Sequence, residues 1–298
     1  MKNVTVKKQH KNHENSSKFI LGCEIMEIKQ IENKILIKNL ANFSVELCLN
    51  CGQAFRWENN NGIWQGVVKE KLLRIEEKEE GILFHTSLND FNNIWFNYFD
   101  LGRDYEEILQ KLKKDKNILM ATEEFSGIRI LNQDPWEALC SFIISQNNNI
   151  PRIKGIISRL CENFGKPIEE GLYTFPGAEE LCNLSLDDFA PLRAGFRNKY
   201  ILDAAQKVAS GEVDIYKLKD MPIEQACEEL LKINGVGAKV AQCTLLYGCE
   251  HIDAFPVDVW VKRVMSELYE NGLPECTKGF EGIAQQYLFH WRRNSKNF

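Results

Sequence analysis

With 298 residues, 44% of them apolar and 10% aromatic, the chain has the make-up of an ordinary folded protein, with enough length for one large core or two to three smaller ones. No run of about 18 apolar residues occurs, which excludes a helical membrane span. A formal net charge of −5 at pH 7 gives no global attraction to nucleic acid, so a DNA-binding face would have to be local. Base gathers at Arg152, Lys154, Arg159, Lys166 and at Arg193, Arg197, Lys199. Acid gathers at Glu76, Glu77, Glu79, Glu80 and around Glu224, Glu228, Glu229.

The chain opens on a polar, Lys-rich stretch without the apolar segment of a secretory signal. Residues 1–23 are read as a disordered or accessory tail, with a basic DNA-touching arm as the lesser alternative. Residues 24–125 are expected to form an N-terminal antiparallel β domain with helices at its end. Apolar and polar residues alternate over 34–40, 44–49, 53–58, 63–68, 72–77 and 81–86, separated by turns such as Asn59-Asn60-Asn61-Gly62. Such alternation predicts a sheet with one wet face. From residue 88 the period becomes helical, and seven segments carry apolar residues at i, i+3, i+4 spacing; they open with WEALC, PRIKG, KYILD, IEQAC, AKVAQ, DVWVK and GFEGI. Residues 126–298 are therefore expected to be an all-helical body, and the fold class is α+β.

Ten cysteines are scattered, several at apolar positions of helical patterns, and read as buried free thiols in a reducing compartment. Cys48-x-x-Cys51 is the one CxxC, and neither a second pair nor a His pair completes a zinc site. Cluster spacing is missing as well, so no iron–sulfur cluster is expected.

Residues 223–260 carry most of the chemistry. A helix over about 223–233 runs into Asn234-Gly235-Val236-Gly237, and a second helix starts near Ala238, giving a helix-hairpin-helix over 223–248. Two glycines around one apolar residue let the chain reverse tightly and leave N–H groups at the positive end of a helix, an arrangement suited to a phosphate. A structural glycine turn at a helix C-terminus reads equally well. Lys239 falls in the first turn of the second helix, where positive potential favours the free amine, a nucleophile able to form a Schiff base with a sugar C1′. The alternative is a solvated surface lysine. Asp258 stands just before another helix, as an N-cap, and a carboxylate fixed there can also stabilise positive charge on a sugar ring.

This segment resembles the helix-hairpin-helix, Gly/Pro-rich loop and aspartate signature of the DNA base-excision glycosylase superfamily. Lysine and aspartate together resemble its bifunctional glycosylase/lyase branch. The endonuclease III branch adds an iron–sulfur loop that is missing here, and the remaining resemblance is to the 8-oxoguanine DNA glycosylase/AP lyase family, over residues 44 to 291. Cys51-Gly52-Gln53-Ala54-Phe55-Arg56-Trp57 resembles the family's GQ-x-FRW strand, which implies that the Gly52 carbonyl accepts the N7–H present in 8-oxoguanine and missing from guanine. Read without the resemblance, Gly52 is a glycine bulge in an edge strand.

Residues 131–153 resemble the family's QDP…S-x-NNNI-x-R segment. The resemblance implies that Asn147, in the run Asn147-Asn148-Asn149, fills the gap left by a flipped base, that Asn149 belongs to the same DNA face, and that Arg152 reads the orphaned cytosine. Phe196-Arg197 is similar to an aromatic–arginine pair that wedges the stack and gives a second cytosine contact. Phe289 would stack on the base, Cys243 pack on its other face, and Gln285 hydrogen-bond its Watson–Crick edge. On spacing alone Cys243 and Phe289 read as core residues. Two positions depart from the family. Asn234 replaces a proline and is expected to loosen the hairpin slightly, and Trp260 replaces a phosphate-contacting histidine, which changes binding more than chemistry.

The resemblance implies excision of 8-oxoguanine from duplex DNA, preferentially opposite cytosine, by a Lys239 Schiff base and β-elimination with Asp258 as electrostatic partner. Two alternatives stay open: a glycosylase of the same scaffold for another damaged base, and a non-catalytic helix-hairpin-helix module. No cofactor is required. Carbonyls of the Gly235–Gly237 hairpin could hold a monovalent or divalent cation. The expected partner is double-stranded DNA containing oxidised guanine, with no membrane and with a monomeric chain, cytoplasmic and nucleoid-associated in a prokaryote or nuclear in a eukaryote.

Overall fold

The computed structural model describes residues 16–21 and 24–296. Residues 16–85 carry a seven-stranded antiparallel sheet built from β1 (Ser16–Leu21), β2 (Glu24–Ile31), β3 (Lys34–Lys38), β4 (Trp57–Asn60), β5 (Ile63–Val68), β6 (Lys71–Lys78) and β7 (Gly81–His85), in the spatial order β1-β2-β3-β7-β6-β5-β4. Alternate residues of β6 and β7 are buried, which gives the expected wet face. The tail reading of residues 1–23 is corrected over Ser16–Leu21, which pairs with β2; residues 1–15 and 22–23 lie outside the described residues.

One expected strand is a helix. Residues 44–49 form α1 (Val45–Asn50), whose N-cap Ser44 accepts a hydrogen bond from the Leu47 amide. SVELCL fits both periods, since Val45, Leu47 and Leu49 alternate while Val45, Cys48 and Leu49 follow helical spacing. The cap decides between them, and it is held because the Ser44 amide donates to the Gly127 carbonyl at 2.9 Å. Of residues 53–58, expected as strand, only Trp57 and Glu58 are strand, in β4; residues 51–56 form an irregular segment between the two cores. Cys51 and Phe55 pack into the helical core, whereas Ala54 and Trp57 pack into the sheet core.

Short helices α2 (Leu88–Asp90) and α3 (Phe96–Tyr98) flank a π-turn and close the sheet core. Next come α4 (Tyr105–Leu112), α5 (Lys116–Glu124), α6 (Pro135–Ser145), α7 (Ile150–Phe164), a small hairpin of β8 (Pro167–Glu169) and β9 (Leu172–Tyr173), and α8 (Ala178–Leu181). The chain continues through α9 (Arg197–Ala209), α10 (Ile223–Leu231), α11 (Ala238–Gly248), α12 (Val259–Leu268) and α13 (Glu281–Asn294). All seven expected helices are present; the β8–β9 hairpin makes the body not wholly helical. The division expected at residue 125 is also displaced. Tyr105, Ile108, Leu112 and Ile118 pack into the helical core, so the cores part between Leu101 and Tyr105, with Leu131 returning to the sheet core.

Candidate active site

A cleft of about 290 Å³ opens beside the 51–55 segment and the starts of α7, α11 and α12. Gly52, Asn149, Lys239, Asp258, Trp260 and Phe289 line it, together with Phe142, Ser145, Asn148 and Arg293. Residues up to 241 positions apart in the chain (293 − 52) therefore meet in one space.

Lys239 occupies the first turn of α11, whose N-cap is Gly237. Its ammonium nitrogen donates to Ser145 Oγ at 3.1 Å and lies 5.0 Å from the centroid of the Phe142 ring. Ser145 in turn donates to the Phe142 carbonyl at 2.8 Å, so its lone pairs face the lysine. Asp258 is the N-cap of α12 and accepts the Val261 amide at 2.8 Å while lining the same cleft. The cap reading of Asp258 is met, and the same residue lines the cleft that holds Lys239. Cys243, one turn after Lys239, is buried; burial pushes its thiol pKa up and the Lys239 charge pulls it partly back.

Gly52 adopts φ +92°, a left-handed value that disfavours any residue with a Cβ. A Cβ there would sit 3.6 Å from Phe289 Cε1, so the glycine backbone and the half-buried Phe289 ring face each other directly. The segment is held by glutamines. Gln53 Nε2 donates to the Cys48 and Arg129 carbonyls at 2.9 and 2.8 Å, and Gln53 Oε1 accepts the Leu131 amide at 2.9 Å. Gln133 Nε2 donates to the Gln53 carbonyl at 2.7 Å, and Gln286 Nε2 to the Cys51 carbonyl at 3.2 Å. Gln285 is buried, with Oε1 unpartnered among the described residues. Neither Cys243 nor Gln285 lines the open cleft.

His290, beside Phe289, is buried edge-on against Phe125 at 4.6 Å. Burial first, and Arg293 second, lower its pKa from 6.5 to about 4. A folded-state value below the unfolded one means that stability is whole above about pH 6.5 and is lost as pH falls toward 4. Between pH 7 and 5 wild type is expected to lose about 2 kcal/mol more than His290→Gln in urea unfolding, and equal losses would remove His290 as the cause. Comparing the two proteins cancels the opposite contribution of Asp134 and Glu137, whose pKa values burial raises.

The DNA-facing candidates sort into exposed and buried. Asn147 is exposed at φ +46°, a strained conformation for a non-glycine residue that holds it out from the end of α6. Asn149 is the N-cap of α7 and accepts the Arg152 amide at 3.0 Å, while the Arg152 side chain is exposed. Phe196 is 50% exposed, with the Arg197 guanidinium over its ring at 4.5 Å. Arg197 itself departs from the expected cytosine contact. It is 2% exposed and donates to the carbonyls of Gln146, Asn147 (3.0 Å) and Ala194 (3.1 Å). Its donors are directed into the backbone that presents Asn147, which makes it a positioning residue here. Burial, and then the like charge of Arg152, lower its pKa.

In the hairpin, Gly235 has φ +79° and an added Cβ would lie 2.3 Å from the Tyr200 ring, so only glycine fits. Val236 is buried and Gly237 exposed. Asn234 does not loosen the turn as expected from its replacement of proline. Asp203 accepts from its backbone N–H at 2.7 Å and from its Nδ2 at 2.6 Å, a two-point clamp from α9. Trp260 lines the cleft with Arg263 at 5.0 Å from its ring, so a stacking surface stands where a histidine was expected.

Residues 35–139 match the family model described as 8-oxoguanine DNA glycosylase, N-terminal domain, and residues 140–275 match the HhH-GPD superfamily base excision DNA repair protein model. The N-glycosylase/DNA lyase of Saccharomyces cerevisiae is 34% identical over 260 residues, covering 76% of this chain and 69% of that protein. The chain belongs to the 8-oxoguanine DNA glycosylase/lyase family. Another member, the probable N-glycosylase/DNA lyase of Methanothermobacter thermautotrophicus, is 34% identical over 66% of this chain and 73% of its own length. The Clostridium acetobutylicum 8-oxoguanine glycosylase/lyase, solved with duplex DNA containing cytosine opposite 8-oxoguanine, superposes with a TM-score of 0.85 at 36% identity, covering 91% of this chain and 98% of that one. A 3-methyladenine DNA glycosylase from Archaeoglobus fulgidus shares the fold alone, at 20% identity and a TM-score of 0.65.

Within this family member, sequence reasoning gave no role to Ser145, Gln53, Gln133, Gln286 or Arg293. The three glutamines had a faint signal, since a glutamine inside an otherwise apolar stretch must find partners when buried. Ser145 had only its place in the S-x-NNNI-x-R motif, and Arg293 had none, because their neighbours in space are far away in the chain.

Proposed function

We propose that this glycosylase/lyase excises 8-oxoguanine from duplex DNA, preferentially opposite cytosine, with Lys239 as nucleophile. The observation that carries this reading is the meeting of Lys239 and Asp258 in one cleft whose wall is formed by Gly52 and Phe289. The exposed Phe196 ring and the outward Asn147 support a flipping step, in which a wedge and a filler offset the few kcal/mol that unstacking costs. Arg152 is free to read the orphaned base.

The hairpin Gly235–Gly237 offers the positive end of α11 to a backbone phosphate. A cation bound there would be held by hairpin carbonyls and would supply charge toward that phosphate. With the base between Phe289 and the buried Cys243, the free amine of Lys239 forms a bond to C1′. The N9–C1′ bond breaks with its electron pair leaving on the base, while the Asp258 carboxylate stabilises the positive charge developing on the sugar. Ring opening then gives the imine, and loss of a C2′ proton expels the 3′ phosphate. One chain supplies every group named, so a monomer suffices, acting wherever the genome is kept.

Borohydride trapping with duplexes carrying 8-oxoguanine opposite each base tests this. A covalent adduct is expected with the lesion opposite cytosine and weaker trapping opposite adenine. If no lesion in a panel that includes an alkylated purine gives excision or adduct, the chain is a binding module and the proposal fails.

A further inference from the structure

Arg293 stands one helical turn beyond Phe289 on α13, so both project from the same face. The two arginines at the end of this helix differ. Arg292 is paired with Glu267 at 3.1 Å, whereas Arg293 is exposed, lines the cleft and has no hydrogen bond or ion pair among the described residues. Its guanidinium carbon lies 6.0 Å from the centre of the Phe289 ring, and its Nη1 lies 3.7 Å from the point that a Cβ on Gly52 would occupy. A set of charged donors thus borders both the stacking surface and the glycine backbone.

Resting on the reading above, we propose that Arg293 is a specificity residue, donating to O8 of the flipped base, the carbonyl oxygen that guanine lacks. A base lying on Phe289 with its N7 edge toward Gly52 brings that edge to the guanidinium. In 8-oxoguanine the edge presents O6, N7–H and O8, so an acceptor on the protein opposite N7–H and a donor beside it form a complementary pair. Guanine presents O6 and a bare N7 and carries only hydrogen at C8. The Gly52 carbonyl rejects guanine by repulsion, and Arg293 adds attraction for the oxidised edge, so discrimination rests on two groups of opposite polarity. The rival ligand for an unpaired cleft arginine is a backbone phosphate.

Arg293→Gln and Arg293→Lys, compared with wild type, separate these possibilities. Three readouts are needed: single-turnover excision of 8-oxoguanine opposite cytosine, the same for 8-oxoadenine, and affinity for a duplex with a tetrahydrofuran abasic site, which has the phosphates and no base. Arg293→Gln is expected to slow excision of 8-oxoguanine about tenfold, with partial recovery in Arg293→Lys and abasic-site affinity within twofold of wild type. An equal loss on 8-oxoadenine, which keeps O8 but has an amine at C6, supports the O8 contact; sparing of 8-oxoadenine would place the contact on O6, which guanine shares, and would overturn the specificity role. Parallel loss of abasic-site affinity with a shallower salt dependence would place Arg293 on a phosphate and overturn the proposal, as would unchanged excision. Failure of wild type to excise 8-oxoguanine would instead sink the function on which the inference rests.

Discussion

Lys239→Gln is expected to abolish the borohydride-trapped adduct and to lower single-turnover excision by at least about 10³-fold, with affinity for abasic-site DNA kept within a few fold. The contacts of the lysine explain why chemistry and binding should separate. Its nitrogen meets Ser145 Oγ and the Phe142 ring, and neither is a group that anchors DNA. Gln keeps an amide donor for Ser145 and part of the aliphatic stem over the ring, so no buried partner is stranded. What disappears is an electron pair able to bond to carbon. The hairpin glycines, Phe196, Asn147 and Arg152 are untouched, and these are the groups assigned to holding the duplex. An adduct formed by the variant would show that another amine is the nucleophile, and a large loss of affinity would show that Lys239 binds rather than reacts.

How much of this could be read from the residues depended on whether the decisive neighbours were close in the chain. Seven helices of the body were legible because i, i+3, i+4 periodicity is local, and the hairpin at Gly235 because glycine pairs mark turns; the four-residue α8 is too short to show a period. Residues 44–49 misled because their apolar positions satisfy both periods, and the cap that chooses between them is held by Gly127, some 80 residues away. Arg197 is a related case. The resemblance implies a cytosine contact, and only packing reveals that its guanidinium here turns inward to the carbonyls of Gln146 and Asn147. Asn234 is the converse case: a residue that looked like a loosened turn is clamped by Asp203 from a different helix. That Lys239 and Asp258 would share one site was foreseeable from the motif, whereas the Lys239–Ser145 hydrogen bond and the place of Arg293 in the cleft were visible only once the chain was folded.

Asp258→Asn should leave the fold intact and still lower base excision by about 10²–10³-fold, because the two tasks of this side chain use different properties of it. As an N-cap it needs an acceptor for the Val261 amide, now at 2.8 Å, and asparagine supplies one nearly as well as aspartate. As a catalytic group it needs negative charge near the sugar as the glycosidic bond breaks, and asparagine has none. Asp258→Ala removes both, so it should lose about 1 kcal/mol of stability beyond its catalytic defect. Substrate choice sharpens the contrast. A duplex with a preformed abasic site has no base to expel, so Lys239 can form the imine without the transition state that Asp258 stabilises. Strand cleavage of that duplex by Asp258→Asn should therefore stay within about tenfold of wild type while 8-oxoguanine excision collapses. Equal losses on both duplexes would mean that the carboxylate acts on the lysine or on the elimination step, and unchanged excision would reduce Asp258 to a helix cap.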